Sequence, residues 1–291
     1  MIILDKPEKR KVTPLDFVDM KRKKEKITIL TSYDFPMAKA LDNSGIDALL
    51  VGDSVGMAVY GLPTTLPVTV EDIIRHTMAV ARAANRAMVI GDMPFMSFAL
   101  PEDTVRNAGN MIKFGNADAI KLEGGREREK SIRMMVDCGM AVMGHIGLTP
   151  TYVNQFGGFK VQGKTAQAAE HLLEDAKILE EAGVFAIVLE TIPWKIAKEI
   201  TERIHIPTIG IGAGPYCDGQ VLVAQDMMGF SETVNFKFVK KYANVNEIMK
   251  KAALDYLNDV KKGEFPTTQN SFEIAEEEFN LFIEKLKKKE K

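Results

Sequence analysis

Five short apolar runs in this chain end in an ionisable side chain. Ala48-Leu49-Leu50-Val51-Gly52 runs into Asp53-Ser54, Ala87-Met88-Val89-Ile90-Gly91 into Asp92, and Asp118-Ala119-Ile120 into Lys121-Leu122-Glu123-Gly124-Gly125. Ala141-Val142-Met143-Gly144 ends in His145, and Ala186-Ile187-Val188-Leu189 ends in Glu190. A single acid or serine after a strand is an ordinary cap for the next helix; five successive strands finishing this way are not. Asp53, Asp92 and Glu123 supply hard oxygen ligands, which suit Mg²⁺ better than zinc. No histidine pair has zinc-ligand spacing. Lys121 and Glu123 are two apart, so in a strand they project to one side while Leu122 goes to the other. A Lys and a Glu facing a barrel interior must be met by partners, ligand or metal, because unpaired buried charge is costly. His145, alone at a strand end, reads as a hydrogen-bonded core residue before it reads as a catalyst. His76, His171 and His205 fall in or beside helical stretches and read as structural.

These groups can act together only if their strands converge. Strand candidates lie at 27–32, 46–52, 87–91, 118–122, 140–145, 184–189, 206–211 and 220–225. Amphipathic stretches such as 69–84 and 166–182, with a period near 3.6, separate them. Asn43-Ser44-Gly45, Phe114-Gly115-Asn116, Cys138-Gly139 and Ala182-Gly183 each follow a helix and precede a strand, as a left-handed C-cap requires. Strand then helix, eight times in about 220 residues, is the arithmetic of a closed (β/α)8 barrel, whose strand ends share one pocket. A doubly wound open sheet is the alternative. The expected division is a (β/α)8 TIM barrel over residues 1–265, N-terminal segment included, and a helical C-terminal tail over 266–291.

Composition narrows the class. The chain has 291 residues, 46% hydrophobic and 27% charged, with 38 Lys plus Arg against 40 Asp plus Glu. It can bury a sizeable core, and its balance excludes a disordered tail protein or one built to coat nucleic acid. Two cysteines 79 positions apart, Cys138 and Cys217, suggest neither a zinc site nor a disulfide framework, so a reducing cytoplasm is expected. Met1-Ile2-Ile3-Leu4-Asp5 is too short an apolar run for a signal peptide, and no stretch reaches a membrane-spanning length.

Two connections, Ser54 to Pro67 and Gly147 to Lys164, exceed plain barrel turns and read as lids or binding segments. Ile209-Gly210-Ile211-Gly212-Ala213-Gly214 is no dinucleotide fingerprint, since Pro215 stands where the last glycine is needed; it reads as a close packing turn rather than a phosphate site. Glu273–Lys291 runs from acidic to basic, as the helix dipole favours. It and Lys21-Arg22-Lys23-Lys24-Glu25-Lys26 read as solvated faces.

Taken together, the segments closely resemble the ketopantoate hydroxymethyltransferase family. The resemblance is carried by Thr31-Ser32-Tyr33-Asp34, Val51-Gly52-Asp53-Ser54-Val55-Gly56-Met57, Thr65-Leu66-Pro67-Val68-Thr69 and Asp92-Met93-Pro94-Phe95-Met96. It continues through Lys121–Gly125, Gly144-His145-Ile146-Gly147-Leu148-Thr149-Pro150, Phe156–Gly163, Glu190, and Ile209–Gly214 with Asp218-Gly219-Gln220. It runs from about residue 13 to about 272. It implies the barrel of the phosphoenolpyruvate/pyruvate superfamily, and transfer of a one-carbon unit from 5,10-methylenetetrahydrofolate to 3-methyl-2-oxobutanoate, giving 2-dehydropantoate. By position, Asp53, Asp92 and Glu123 match the family's Mg²⁺ residues. Asp53, Ser54, Asp92 and Lys121 match its ketoacid contacts, and Glu190 its proton acceptor. The resemblance also implies a homodecamer. Gln269-Asn270-Ser271-Phe272 departs from a family pattern that commonly carries His before Ser-Phe, and residues 273–291 extend past the usual end.

The residue chemistry suits that reaction. A divalent ion chelated by a 2-oxoacid stabilises its enolate, Lys121 and Ser54 can hold the carboxylate end, and Glu190 can approach as base. The nearer alternative is a 2-oxoacid lyase or phosphonomutase of the same superfamily; the farther is a non-catalytic metabolite-binding barrel, which would need no base.

Overall fold

Eight short strands alternate with helices and close on themselves. In the computed structural model, which describes residues 10–231 and 236–289, the strands are β1 (Ile27–Thr31), β2 (Ala48–Val51), β3 (Met88–Asp92), β4 (Ala119–Glu123), β5 (Val142–Gly147), β6 (Ala186–Glu190), β7 (Thr208–Ile211) and β8 (Gly219–Leu222). Each pairs in parallel with the next, and β8 returns to β1 with Ile27 opposite Gly219 and Leu30 opposite Leu222. The barrel is therefore closed, and the open-sheet alternative is excluded. Met1-Ile2-Ile3-Leu4-Asp5 lies outside the described residues.

Helices α1 (Pro14–Lys23) and α2 (Phe35–Ser44) flank β1, and α3 (Val55–Ala58) and α4 (Val70–Ala83) link β2 to β3. Then come α5 (Pro101–Gly115), α6 (Glu129–Asp137), α7 (Val153–Phe156), α8 (Ala166–Ala182), α9 (Trp194–Arg203) and α10 (Ala224–Met228). Their ends obey the local chemistry. Thr69 and Asp72 form a capping box on α4, Thr165 caps α8, and Gly45 and Gly183 close α2 and α8 in the left-handed conformation.

Strand alternation divides the core in two. Ile27, Ile29, Leu50, Met88, Ile90, Ala119, Met143, Val188 and Val221 pack inside the barrel, while Leu49, Val89, Ile120, Leu122 and Leu189 pack outward against the helices. Phe17 of α1, fully buried, joins the inner cluster and meets the Phe185 ring edge-on at 5.9 Å. It plugs the N-terminal end of the barrel. The basic run after it is not simply solvated. Lys21 Nζ donates to the Thr201 and Ile206 carbonyls and pairs with Asp218 at 3.0 Å, and Lys26 Nζ donates to the Cys217 carbonyl. Cys138 and Cys217 are both free thiols. Among the described residues no helix is long and apolar enough to cross a membrane.

The chain forms two compact units that divide between Tyr242 and Ala243. The second contains α11 (Val245–Lys262) and α12 (Glu276–Lys289). The boundary expected at 265/266 falls inside this unit, between its two helices.

Candidate active site

The inward parity that fills the barrel continues past its apolar layers into charge. In β4, Ala119 is followed inward by Lys121 and Glu123; in β3, Ile90 by Asp92; in β5, Met143 by His145; in β6, Val188 by Glu190. Asp53 and Ser54 follow β2 in the turn that opens α3. Asp53, Asp92, Lys121, Glu123 and His145 are each at most 4% exposed, whereas the Glu190 side chain keeps 17% of its surface open.

Lys121 is the hub. Its Nζ lies 2.7 Å from Asp92 Oδ1 and 3.1 Å from His145 Nδ1. His145 in turn stands 3.6 Å from Glu123 through Nδ1 and 3.3 Å from Glu190 through Nε2. The structure thus joins Asp92, Lys121, Glu123, His145 and Glu190 in one chain of contacts. Ser54 Oγ sits apart from this chain, hydrogen-bonded at 2.7 Å to the Tyr33 hydroxyl. Two partners escaped the sequence reading. Tyr33, from the turn after β1, steadies Ser54. Thr151, from the long connection after β5, gives both its backbone N–H and its hydroxyl to Glu123 Oε2. The signal for Tyr33 was its place at a strand end; Thr151 carried none.

Close backbone approach builds the rim. At Gly52 a Cβ would stand 3.2 Å from both the Asp92 carboxylate and Ser54 Oγ, so glycine lets the β3 acid lie against β2. At Gly147, with φ +102°, a Cβ would run into the Glu190 carbonyl, which accepts the Leu148 N–H at 2.9 Å. The three glycines of Ile209–Gly214 pack closely, Gly210 against Cys217 and Gln220, Gly212 against Phe238 and Thr191, and Gly214 against Trp194.

Burial dominates the electrostatics. It raises the carboxyls of Asp53, Asp92 and Glu123 against the pull of the Lys121 ammonium, and it lifts Glu190 to about 7 for the same reason. His145 is held well below its ordinary value by burial and then by Lys121, so it is neutral. Lys121 goes up, because the surrounding acids outweigh its own burial. One ammonium faces four carboxyl groups, an excess of negative charge that a dication would offset.

The donor set fits Mg²⁺. It is all hard oxygen. Asp53 Oδ2 is buried with no hydrogen-bond partner, and Asp92 Oδ1 has the ammonium close by but out of hydrogen-bonding line. Glu123 differs from these two, because Thr151 occupies its Oε2. Among the described residues, no three acidic, histidine or cysteine side chains already converge as a metal cage.

The two long connections are partly helical. Ser54–Pro67 holds α3, and Gly147–Lys164 holds a 3₁₀ turn at Pro150–Tyr152 and then α7. The second is tied to the end of β6 by the Gln162 N–H on the Thr191 carbonyl at 3.0 Å. Beside it, Gly163–Ala166, Ala169 and Pro193–Ile196 line a cleft of about 300 Å³ that begins three residues from Glu190.

A closed parallel barrel whose strand ends gather carboxylates, a lysine and a half-open glutamate has the site of a (β/α)8-barrel enzyme. Comparisons with known proteins make this specific. The family model for ketopantoate hydroxymethyltransferase matches residues 11–268. A 3-methyl-2-oxobutanoate hydroxymethyltransferase of Syntrophus aciditrophicus is 54% identical over 90% of this chain and 97% of its own. That of Clostridium kluyveri is 55% identical over 89% and 92%. Among solved structures, a phosphonopyruvate hydrolase in complex with oxalate and Mg²⁺ superposes with a TM-score of 0.58 at 11% identity, over 89% of this chain and 93% of that one. This last likeness speaks for the barrel fold alone. The chain belongs to the ketopantoate hydroxymethyltransferase family, and it is an enzyme that places a hydroxymethyl group on 3-methyl-2-oxobutanoate in pantothenate biosynthesis.

Proposed function

We propose that the one-carbon donor is 5,10-methylenetetrahydrofolate, that the reaction depends on Mg²⁺, and that it passes through an enolate of the ketoacid to give 2-dehydropantoate. The observation that carries this reading is the pairing of a buried, acid-rich pocket around Lys121 with one carboxylate, Glu190, open to the mouth and lifted to about 7. Asp53, Asp92 and Glu123 would hold the ion, with at least one contact mediated by water because Mg²⁺ commonly keeps several waters; Thr151 already occupies Glu123 Oε2. When bound, Mg²⁺ supplies Lewis-acid stabilisation at the 2-oxo group. A phosphonopyruvate hydrolase of the same fold is known with Mg²⁺ and oxalate.

The protein's own groups do the rest. Asp53, Ser54, Asp92 and Lys121 form the ketoacid site, with Lys121 and Ser54 toward the substrate carboxylate. Tyr33 fixes the Ser54 hydroxyl. Glu190 takes the proton from carbon three; its raised value places it near neutrality, where a base accepts a proton and later returns it. Carbon three then bonds to the methylene carbon of the folate iminium, and water supplies the hydroxyl as tetrahydrofolate leaves. The connections after β2 and β5 screen this carbon from solvent. The reading extends to a cytoplasmic homodecamer, as the family resemblance implies.

The discriminating experiment is hydrogen exchange at carbon three. With Mg²⁺ and no folate, the enzyme exchanges that hydrogen of 3-methyl-2-oxobutanoate into deuterated water, and product forms only when methylenetetrahydrofolate is added. Turnover of the ketoacid to cleavage products without folate would instead establish the lyase reading.

A further inference from the structure

Helix α12 begins after residue 268, where the family match ends, and no step of the reaction uses it. Its apolar residues Phe279, Phe282, Ile283 and Leu286 follow the i, i+3, i+4, i+7 spacing that lines one face. Within its own compact unit that face is left largely open: Phe279 is 42% exposed, Phe282 51% and Leu286 43%, with Ile283 half-buried between them. A helix of 14 residues is marginal in water by itself, so a lasting α12 needs a partner along the stripe. Its charge is sorted by position, with Glu276, Glu277 and Glu278 in the first turn and Lys287, Lys288 and Lys289 in the last.

That sorting specifies the partner. With about 100° and 1.5 Å per residue, Glu276 and Lys287 flank the stripe on one side, and Glu278, Lys285 and Lys289 flank it on the other. Two copies laid antiparallel, with a two-fold axis level with the Phe282–Ile283 bond, satisfy every one of these positions in one register. Phe279 stands opposite the partner's Leu286, and Phe282 and Ile283 each meet their own counterpart across the axis. Glu276 lies about 3 Å along the axis from the partner's Lys287, and Glu278 falls between the partner's Lys285 and the partner's Lys289. A parallel pair would set Glu against Glu and Lys against Lys. We propose that α12 is a self-association element, pairing antiparallel with α12 of a second copy of this chain through an isologous contact. The inference is independent of the reaction assigned to the barrel.

The test uses the full chain with the exposed Cys138 changed to serine. In the proposed register position 283 lies about 1.5 Å along the axis from its counterpart, and position 289 about 20 Å. Under mild oxidation Ile283→Cys should give a covalent dimer and Lys289→Cys should not, because bridged Cα atoms lie within about 7 Å. Adding Glu276→Lys and Glu278→Lys to the Ile283→Cys chain should abolish the dimer. Mixing that chain with one carrying Ile283→Cys, Lys285→Glu, Lys287→Glu and Lys289→Glu should restore it as a mixed species. Cross-linking at 289 as readily as at 283, or indifference to the charge reversals, overturns the proposal. So does an uncross-linked Ile283→Cys chain that co-sediments with phosphatidylserine vesicles, which would make the stripe a lipid-surface element.

Discussion

His145 and Glu190 face each other across neighbouring strands, Nε2 to carboxylate oxygen at 3.3 Å. The other ring nitrogen, Nδ1, lies 3.1 Å from Lys121, an ammonium that can only donate, so Nδ1 accepts and the proton of the neutral ring resides on Nε2. The imidazole therefore presents an N–H toward Glu190. The 3.3 Å approach is an electrostatic contact without hydrogen-bond geometry, and in this tautomer the ring offers no lone pair to the substrate side.

Glu190→Gln preserves shape and removes the acceptor. Exchange at carbon three and folate-dependent transfer should fall together, by about 10²–10⁴, while ketoacid binding by calorimetry survives. His145→Gln should slow both without abolishing either. Wild-type exchange in Glu190→Gln with transfer lost would move the base elsewhere.

The same carboxyl sets a pH profile. Glu190 is lifted to about 7, so below that it is protonated and cannot accept, and above it the base form prevails. Log kcat/KM should rise with unit slope through the acid range and level above about pH 7. A profile flat down to pH 5 would assign the limiting proton transfer to another group.

Asp92→Asn keeps the volume beside Lys121 but removes a charge from the acid-rich pocket. The Mg²⁺ needed for half-maximal rate should rise on the order of 10–100-fold, with the circular dichroism spectrum unchanged. An unaltered metal titration would take Asp92 out of the ion's environment.

The connections Ser54–Pro67 and Gly147–Lys164 should close over the substrate. Amide exchange in both should slow when Mg²⁺ and ketoacid are added together. Equal rates with and without them would leave both loops as plain rim.

Phe17→Ala should destabilise the barrel by about 3–5 kcal/mol, as for other buried phenylalanines, read as a lowered denaturation midpoint. The catalytic constants of the folded fraction should not change, since Phe17 lies at the end of the barrel away from the site.

Much of this site was legible because a barrel strand alternates strictly. Lys121, Leu122 and Glu123 announce which two face inward, and the observed packing of Leu122 against the helices bears that out. What escaped were contacts made by irregular chain. Thr151 meets Glu123 from a 3₁₀ turn too short to leave a period, and α3 and α7, four residues each, were hidden for the same reason. Lys21 and Lys26 read as solvent-facing because composition cannot reveal a carbonyl about 190 positions away.

Closure of the barrel joins its first strand to its last: β1 waits for β8, with Ile27 pairing to Gly219 and Thr28 to Gln220. During synthesis at about 5–20 residues per second, the free edge of β1 stands unpaired for roughly 10–40 s before its neighbour leaves the ribosome. Edges of that kind invite pairing with other nascent chains. The Lys21–Lys26 stretch lies immediately before this edge, and five of its six side chains are cationic. The clamp that later grips the β7–β8 segment thus spends the chain's infancy as an electrostatic guard, keeping unfinished molecules apart until their own last strand arrives.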